Sequence, residues 1–295
     1  MQLKEITMQD KPLFDAYIGG KFENSEAVFG NLFLWRNIAK TKYALVEDAL
    51  VIFYQKSNGC PACCYPFGNC DIKAVIQALL ACFREKNCKF IMESVPASYK
   101  DVLMAHFGDQ IKVTPDRDLF DYVYTGEKLR ELSGKKLHSK RNHINKFLSL
   151  YPNYQYVPLT PDLFPVCLNN VEQWLLTKYQ PSDVDFHREM TVMREAFTYY
   201  EQLGFIGGAL LVDGEVIAFT FGERLTHDTC VVHVEKANTS YHGAYTMINN
   251  AYIQHAWPDI RFVNREEDMG IAGIRKAKLS YVPDHFVEKY QIEFQ

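Results

Sequence analysis

The sequence predicts an α/β fold of α+β type with mixed sheets, repeated as two successive domains. Three observations lead there. The chain has 295 residues, long for one hydrophobic core and natural for two domains of roughly 150 residues each. Segments of strand and helix character follow the order β, α, α, β, β, β, α, β, α, β in the second half, and the first half can be read the same way. Within each half the early strands join through hairpins, which argues against a doubly wound parallel sheet.

The elements of the first half come in this order. LKEIT (3–7) reads as a strand, and KPLFDAYIGG (11–20) and NLFLWRNIA (31–39) as helices. KYALVED (42–48) and ALVIFYQK (49–56) form a hairpin pattern. After CYPFG (64–68), DIKAVIQALLACFREKN (71–87) is a helix with Asp71 as its cap and Val75, Leu79, Cys82 and Phe83 on one face. KFIMESV (89–95) is a strand, PASYKDVLMAHFG (96–108) a helix and LFDYVYT (119–125) a strand.

The second half reads more cleanly. QYVPLTP (155–161) is a short strand, and DLFPVCLNNVEQWLL (162–176) and REMTVMREAFTYYEQLG (188–204) have helical spacing, the latter stopped by Gly204. GGALLVD (207–213) and EVIAFTFGER (215–224) are strands around Asp213-Gly214, a strong hairpin signal. DTCVVHVEKA (228–237) is a third strand, and the turn SYHGA (240–244) opens the helix AYTMINNAYIQHAW (244–257), ended by Pro258. RFVNRE (261–266) is a strand, GIAGIRKAKLSY (270–281) a helix and HFVEKYQIEF (285–294) a last strand. The expected division is a first domain at 1–128, a basic connecting helix at 129–152 and a second domain at 153–295.

Hydrophobic content of 47% with 23% charged residues supports a sizeable core and argues against disorder. The N-terminus lacks the apolar run of a signal peptide, and no window holds eighteen uninterrupted apolar residues, so a soluble, cytoplasmic protein is expected. There are eight cysteines. CPACC (60–64) contains one C-x-x-C, but no second pair follows at zinc-site spacing. Thiols lining a turn are expected there, with no metal.

Net charge is −4, yet GKKLHSKRNHINKF (134–147) holds four lysines, one arginine and no acid. Without acids it makes no local salt bridges of its own. It is expected to form an amphipathic helix stopped by Pro152, in which Lys135, Lys136, Lys140, Arg141, Asn142 and Lys146 form a phosphate-binding strip. The alternative is a solvated linker face.

The element order is that of the GNAT acyltransferase fold. Four stretches, SEAVFGNLFLWR (25–36), KKLHSKRNHINKF (135–147), YHGAYTMIN (241–249) and EEDMGIAGIRKAKLSYVP (266–283), resemble the soluble relatives of the C-terminal catalytic domain of bacterial phosphatidylglycerol lysyltransferase. That family is similar to the Fem-type peptidoglycan aminoacyltransferases, which pair two GNAT-like domains. The last stretch is similar to a G-x-x-G-x-x-x-x-K pattern followed by an aromatic and Pro, here Gly270, Gly273, Lys278, Tyr281 and Pro283. The resemblance implies transfer of an aminoacyl group from aminoacyl-tRNA to an acceptor amine or hydroxyl. The chain departs from the lysyltransferase in having no long membrane-embedded segment.

The resemblance makes Lys278 the candidate for stabilising negative charge on the transferred ester, with Tyr281 as a proton donor. His233 and Glu235 lie two apart on one strand, share a face and are candidate bases. The turn Tyr241-His242-Gly243-Ala244-Tyr245 matches the place where GNAT folds hold the diphosphate of coenzyme A on helix N-terminal amides. With its single glycine it supports two readings equally, an acyl-CoA cofactor site or a glycine easing a strand-to-helix turn. A catalytically silent module binding an anionic metabolite is the competing class of function.

Overall fold

The computed structural model describes residues 1–56 and 59–295. The chain begins with β1 (Lys4–Glu5), α1 (Lys11–Tyr17), α2 (Phe29–Trp35), β2 (Lys42–Val46), β3 (Ala49–Gln55), β4 (Pro61–Cys63), α3 (Ile72–Glu85), β5 (Ile91–Pro96), α4 (Ala97–Phe107) and β6 (Ile111–Pro115). It continues through β7 (Asp121–Thr125), α5 (Gly126–Glu131), α6 (His138–Leu150), β8 (Gln155–Pro158), α7 (Phe164–Leu176), α8 (Val184–Thr198) and α9 (Tyr200–Leu203). Then come β9 (Ile206–Val212), β10 (Glu215–Arg224), β11 (Thr229–Ala237), α10 (Ala244–His255), β12 (Phe262–Asn264), α11 (Ala272–Leu279), β13 (His285–Val287) and β14 (Lys289–Phe294).

Two compact units result. Unit 1 comprises Met1–Asp121, Glu267–Ile271 and Phe286–Gln295, and unit 2 comprises Tyr122–Glu266 and Ala272–His285. The grouping is discontinuous because the segment expected as one strand, 285–294, forms two. β14 lies between β5 and β6 in the sheet order β1-β2-β3-β4-β5-β14-β6, whereas β13 lies beside β7 in the order β13-β7-β12-β11-β10-β9-β8.

Unit 1 closes around α3. Asp71 accepts from the amides of Lys73 and Ala74, capping the helix, and Val75, Ile76, Leu79 and Phe83 pack fully buried against β-strand residues such as Val51, Met92 and Ile292. Lys289 of β14 is wholly buried, with Nζ donating to Asp121 Oδ1 at 2.7 Å and to Glu26 Oε2 at 2.7 Å. Ser25 donates from its amide and its hydroxyl to the same Asp121. Burial works against the ammonium, but Asp121 and Glu26 outweigh it and raise the Lys289 pKa. Cys60 forms a disulfide with Cys88, so the C-x-x-C spacing of Cys60 and Cys63 does not mark a thiol pair.

Unit 2 is built on the β9–β10–β11 meander. Asp213 and Gly214 both have positive φ, +50° and +85°, as a two-residue hairpin turn with the twist of its strands requires. β11 runs antiparallel to β10 and parallel to β12, but the pairing with β12 ends at Val231↔Asn264. Beyond it the second half of β11 has no strand partner on that side among the described residues, and the residues after β12 reach back towards it. A bulge also interrupts the β10–β11 register, because Phe221 pairs with Val234 and Gly222 with Val232, leaving His233 as the extra residue. Gly222 is obligatory there, since a Cβ would lie 1.8 Å from the Val231 carbonyl oxygen.

Candidate active site

The opening between β11 and β12 is occupied by a polar cluster, every member of which belongs to unit 2. Glu235 projects from β11, and its two carboxylate oxygens have different donors. Arg265, directly after β12, donates from Nη2 to Oε1 at 2.9 Å, and Asn249 of α10 donates from Nδ2 to Oε2 at 2.8 Å. The Arg265 guanidinium lies 4.9 Å from the centre of the Tyr281 ring, and the ammonium of Lys140 lies 3.9 Å from the same ring. Nη1 of Arg265 and Oδ1 of Asn249 are both buried without a hydrogen-bond partner among the described residues.

Charge is uneven here. Burial and then the nearby Arg265 lower the Lys140 pKa to about 8, although Glu235 pulls it the other way. Burial raises the Tyr281 hydroxyl above the ordinary phenol range against the pull of Arg265, so it keeps its proton. The site is therefore a paired carboxylate between a half-satisfied guanidinium and a half-satisfied amide, with an ammonium and a protonated phenol alongside.

His233 lies two residues from Glu235 but serves another cluster. Its Nδ1 donates to Glu266 Oε1 at 2.8 Å and its Nε2 to Glu223 Oε1 at 3.0 Å. A neutral imidazole has one N–H and would satisfy one carboxylate only, so this geometry requires the imidazolium. Burial alone would lower its pKa, but the two carboxylates hold it at about 9. The side chain is 2% exposed, so His233 does not lie on a solvent-facing surface of the sheet.

Lys278 lies in α11. Its Nζ donates to the carbonyl oxygens of Arg265 at 2.6 Å and Glu266 at 3.1 Å, fastening the backbone that carries Arg265. The basic segment divides three ways. Lys140 turns inward onto Tyr281; Arg141 donates to the carbonyls of Leu132 and Gly134, stapling the preceding turn; Lys135, Lys136, Asn142 and Lys146 are exposed. Asn142 also makes a 3.2 Å contact with His138 Nε2.

The turn before α10 packs tightly. Gly243 has φ +83°, and a Cβ there would lie 2.6 Å from the His143 carbonyl oxygen of α6. The amides of Ser240, Tyr241 and Ala244 donate within the turn to Asn238 Oδ1, Asn238 O and Tyr241 O. Tyr241 packs on Tyr151, His242 lies beside His143, and Tyr245 is 43% exposed.

Arg265 and Asn249 are not among the residues that the sequence singles out. A signal existed for Asn249. Asn249-Asn250 falls in the middle of an otherwise apolar helix, where asparagine is a poor helix former and needs a reason to be buried.

The family model "Phosphatidylglycerol lysyltransferase, C-terminal" matches residues 20–293. The chain belongs to that family. The family is by its description one of acyl-group transferases, and the chain is built on two seven-stranded mixed sheets. A conserved protein of unknown function from Bacteroides thetaiotaomicron VPI-5482 is similar over all of both chains, at 37% identity and TM-score 0.93. The structure of L-PGS from Bacillus licheniformis shares the fold at 14% identity and TM-score 0.67, over 99% of this chain and 93% of that one. FemX does so at 10% identity and TM-score 0.58, over 99% of this chain and 97% of that one. An uncharacterized protein of Mycoplasmoides gallisepticum is 27% identical over 177 residues, which is 59% of this chain and 56% of that protein's length. Among the described residues no helix is long and apolar enough to cross a membrane.

Proposed function

We propose that the chain transfers an aminoacyl group from the terminal ester of a charged tRNA to an acceptor amine or hydroxyl at the Glu235–Arg265 cluster. One observation carries the reading. A buried donor, Nη1 of Arg265, and a buried acceptor, Oδ1 of Asn249, flank one carboxylate and lack partners. Buried polar atoms are nearly always paired, so this couple suits a ligand offering one acceptor and one donor. An aminoacyl ester brings both, as a carbonyl oxygen and an α-ammonium. The family's description names lysyl transfer to phosphatidylglycerol. What this site supports is the aminoacyl part of that chemistry.

In this mechanism the acceptor's O–H or N–H attacks the ester carbonyl carbon and its proton passes to Glu235. The carbonyl oxygen becomes an oxyanion held by Arg265 and Lys140, while Asn249 accepts from the α-ammonium. When the intermediate collapses, the bond to the ribose oxygen breaks and that oxygen takes the proton back from Glu235. Tyr281 stays protonated and forms the wall against which both cations lie. Lys278 is a positioning residue, because it acts through the Arg265 and Glu266 carbonyls. His233 holds Glu266 in the same segment. Exposed Lys135, Lys136 and Lys146 would meet tRNA phosphates, giving binding that weakens steeply with salt.

Acyl-CoA is the alternative donor. The amides of Ser240, Tyr241 and Ala244 already donate within their own turn, which favours the ester donor. The test is single-turnover release of labelled amino acid from charged tRNA by the full chain. Arg265→Lys keeps the charge but loses the fork, and it should slow release by roughly 10²- to 10³-fold. An unchanged rate refutes the assignment. Binding of charged tRNA without turnover would favour the silent binding module.

A further inference from the structure

We infer that His233 is a positioning residue for the transfer reaction, fixing Arg265 against Glu235 through a charged bridge to Glu266. The inference rests on the aminoacyl-transfer reading. Backbone pairing of β11 with β12 ends at Val231↔Asn264. Two side-chain rungs continue the seam where that ladder stops. Arg265 donates to Glu235 at 2.9 Å, and His233 donates to Glu266 at 2.8 Å. Two adjacent residues of one segment are thus each held by a residue of β11.

The segment turns at this point. Glu266 has φ +56°, a left-handed conformation that a residue with a side chain keeps only where its surroundings hold it. Towards β7, the Arg265 amide donates to the Tyr122 carbonyl and the Tyr122 amide to the Glu266 carbonyl. Towards β11, the two side-chain rungs do the holding. The charged groups that face the imidazole are Glu223 from β10, 3.0 Å from Nε2, and Glu266 from the segment after β12. Phe205, just before β9, packs its ring 5.4 Å from the imidazole and brings no charge. A neutral imidazole has one N–H, so it must release one of the two carboxylates. Burial opposes the charged ring, but the two carboxylates keep its pKa at about 9. When the rung to Glu266 opens, the neighbouring Arg265 loses its fixed place beside Glu235.

The experiment measures single-turnover release of labelled amino acid from charged tRNA by the full chain at saturating protein, with protein-free release subtracted. His233→Gln removes the cation and should slow release roughly 10- to 100-fold, while the Kd for charged tRNA stays within about twofold. His233→Lys keeps a cation between the carboxylates and should recover most of the rate. Its rate relative to wild type should rise between about pH 8 and about pH 9.5, where the imidazolium is lost and the lysine is not. Ionisations of donor and acceptor are common to both proteins and cancel in that ratio, and a merely structural histidine would leave the ratio flat. Should neither variant fold, Glu223→Gln decides. With one carboxylate fewer, the histidine gives up its proton more easily, and the decline in rate should begin at lower pH than in wild type. A His233→Gln rate within about twofold of wild type, a flat ratio or an unmoved decline overturns the inference and leaves the aminoacyl reading standing. No release by the wild type removes the aminoacyl reading itself, and the inference with it.

Discussion

A histidine that donates from both ring nitrogens to carboxylates cannot lose its proton without stranding one of them, and His233 is in that position. Its folded pKa, about 9, lies above its ordinary value of 6.5. The imidazolium contribution to stability is therefore complete below pH 6.5 and lost as pH rises through 9. The melting temperature of the wild type should fall across that window. Glu223→Gln should flatten the fall and lower stability by about 3 kcal/mol, as expected when one partner of a buried ion pair is removed. A parallel pH profile in the variant would show that His233 is not the titrating group. At this scale the sequence was informative about position more than partnership. His233, Glu235, Lys140, Lys278 and Tyr281 were all legible as candidates, and all lie in or against the two clusters. Their division into a buried imidazolium bridge, a carbonyl clasp and a paired carboxylate was not, because partners such as Arg265 and Asn249 come from distant parts of the chain.

Elements follow local chemistry closely where the signal is local. The Asp213-Gly214 hairpin and the Asp71 cap appear as read, since each depends on a few adjacent residues. β6 (Ile111–Pro115) and the break at Glu288 between β13 and β14 were not read, because both are fixed by pairing partners far along the chain. The bulge in β10–β11 lies between these cases. Gly222 in a strand announces a close approach, but only the register reveals that His233 is the residue released by it. Gly222→Ala sets a methyl against the Val231 carbonyl oxygen and should cost about 2 kcal/mol, read as a lower urea midpoint. An unshifted midpoint would mean that the strands part here without strain.

For the whole molecule the governing feature is the strand order of unit 1, in which β14 separates β5 from β6. Removing residues 289–295 takes away both ladders and leaves the buried Asp121 without its ammonium. Amide exchange should then show β5 and β6 unprotected while the β9–β10 ladder keeps its protection. Retained protection in β5 would show that unit 1 closes without its last strand. The two-domain α/β plan was legible from the repeated order of elements, but this return of the chain was not, since no local signal marks which sheet a strand will join. It also sets a timetable for biosynthesis. A ribosome finishes unit 2 before it delivers β14, so unit 1, though begun earlier, must wait, half-closed, for its closing strand.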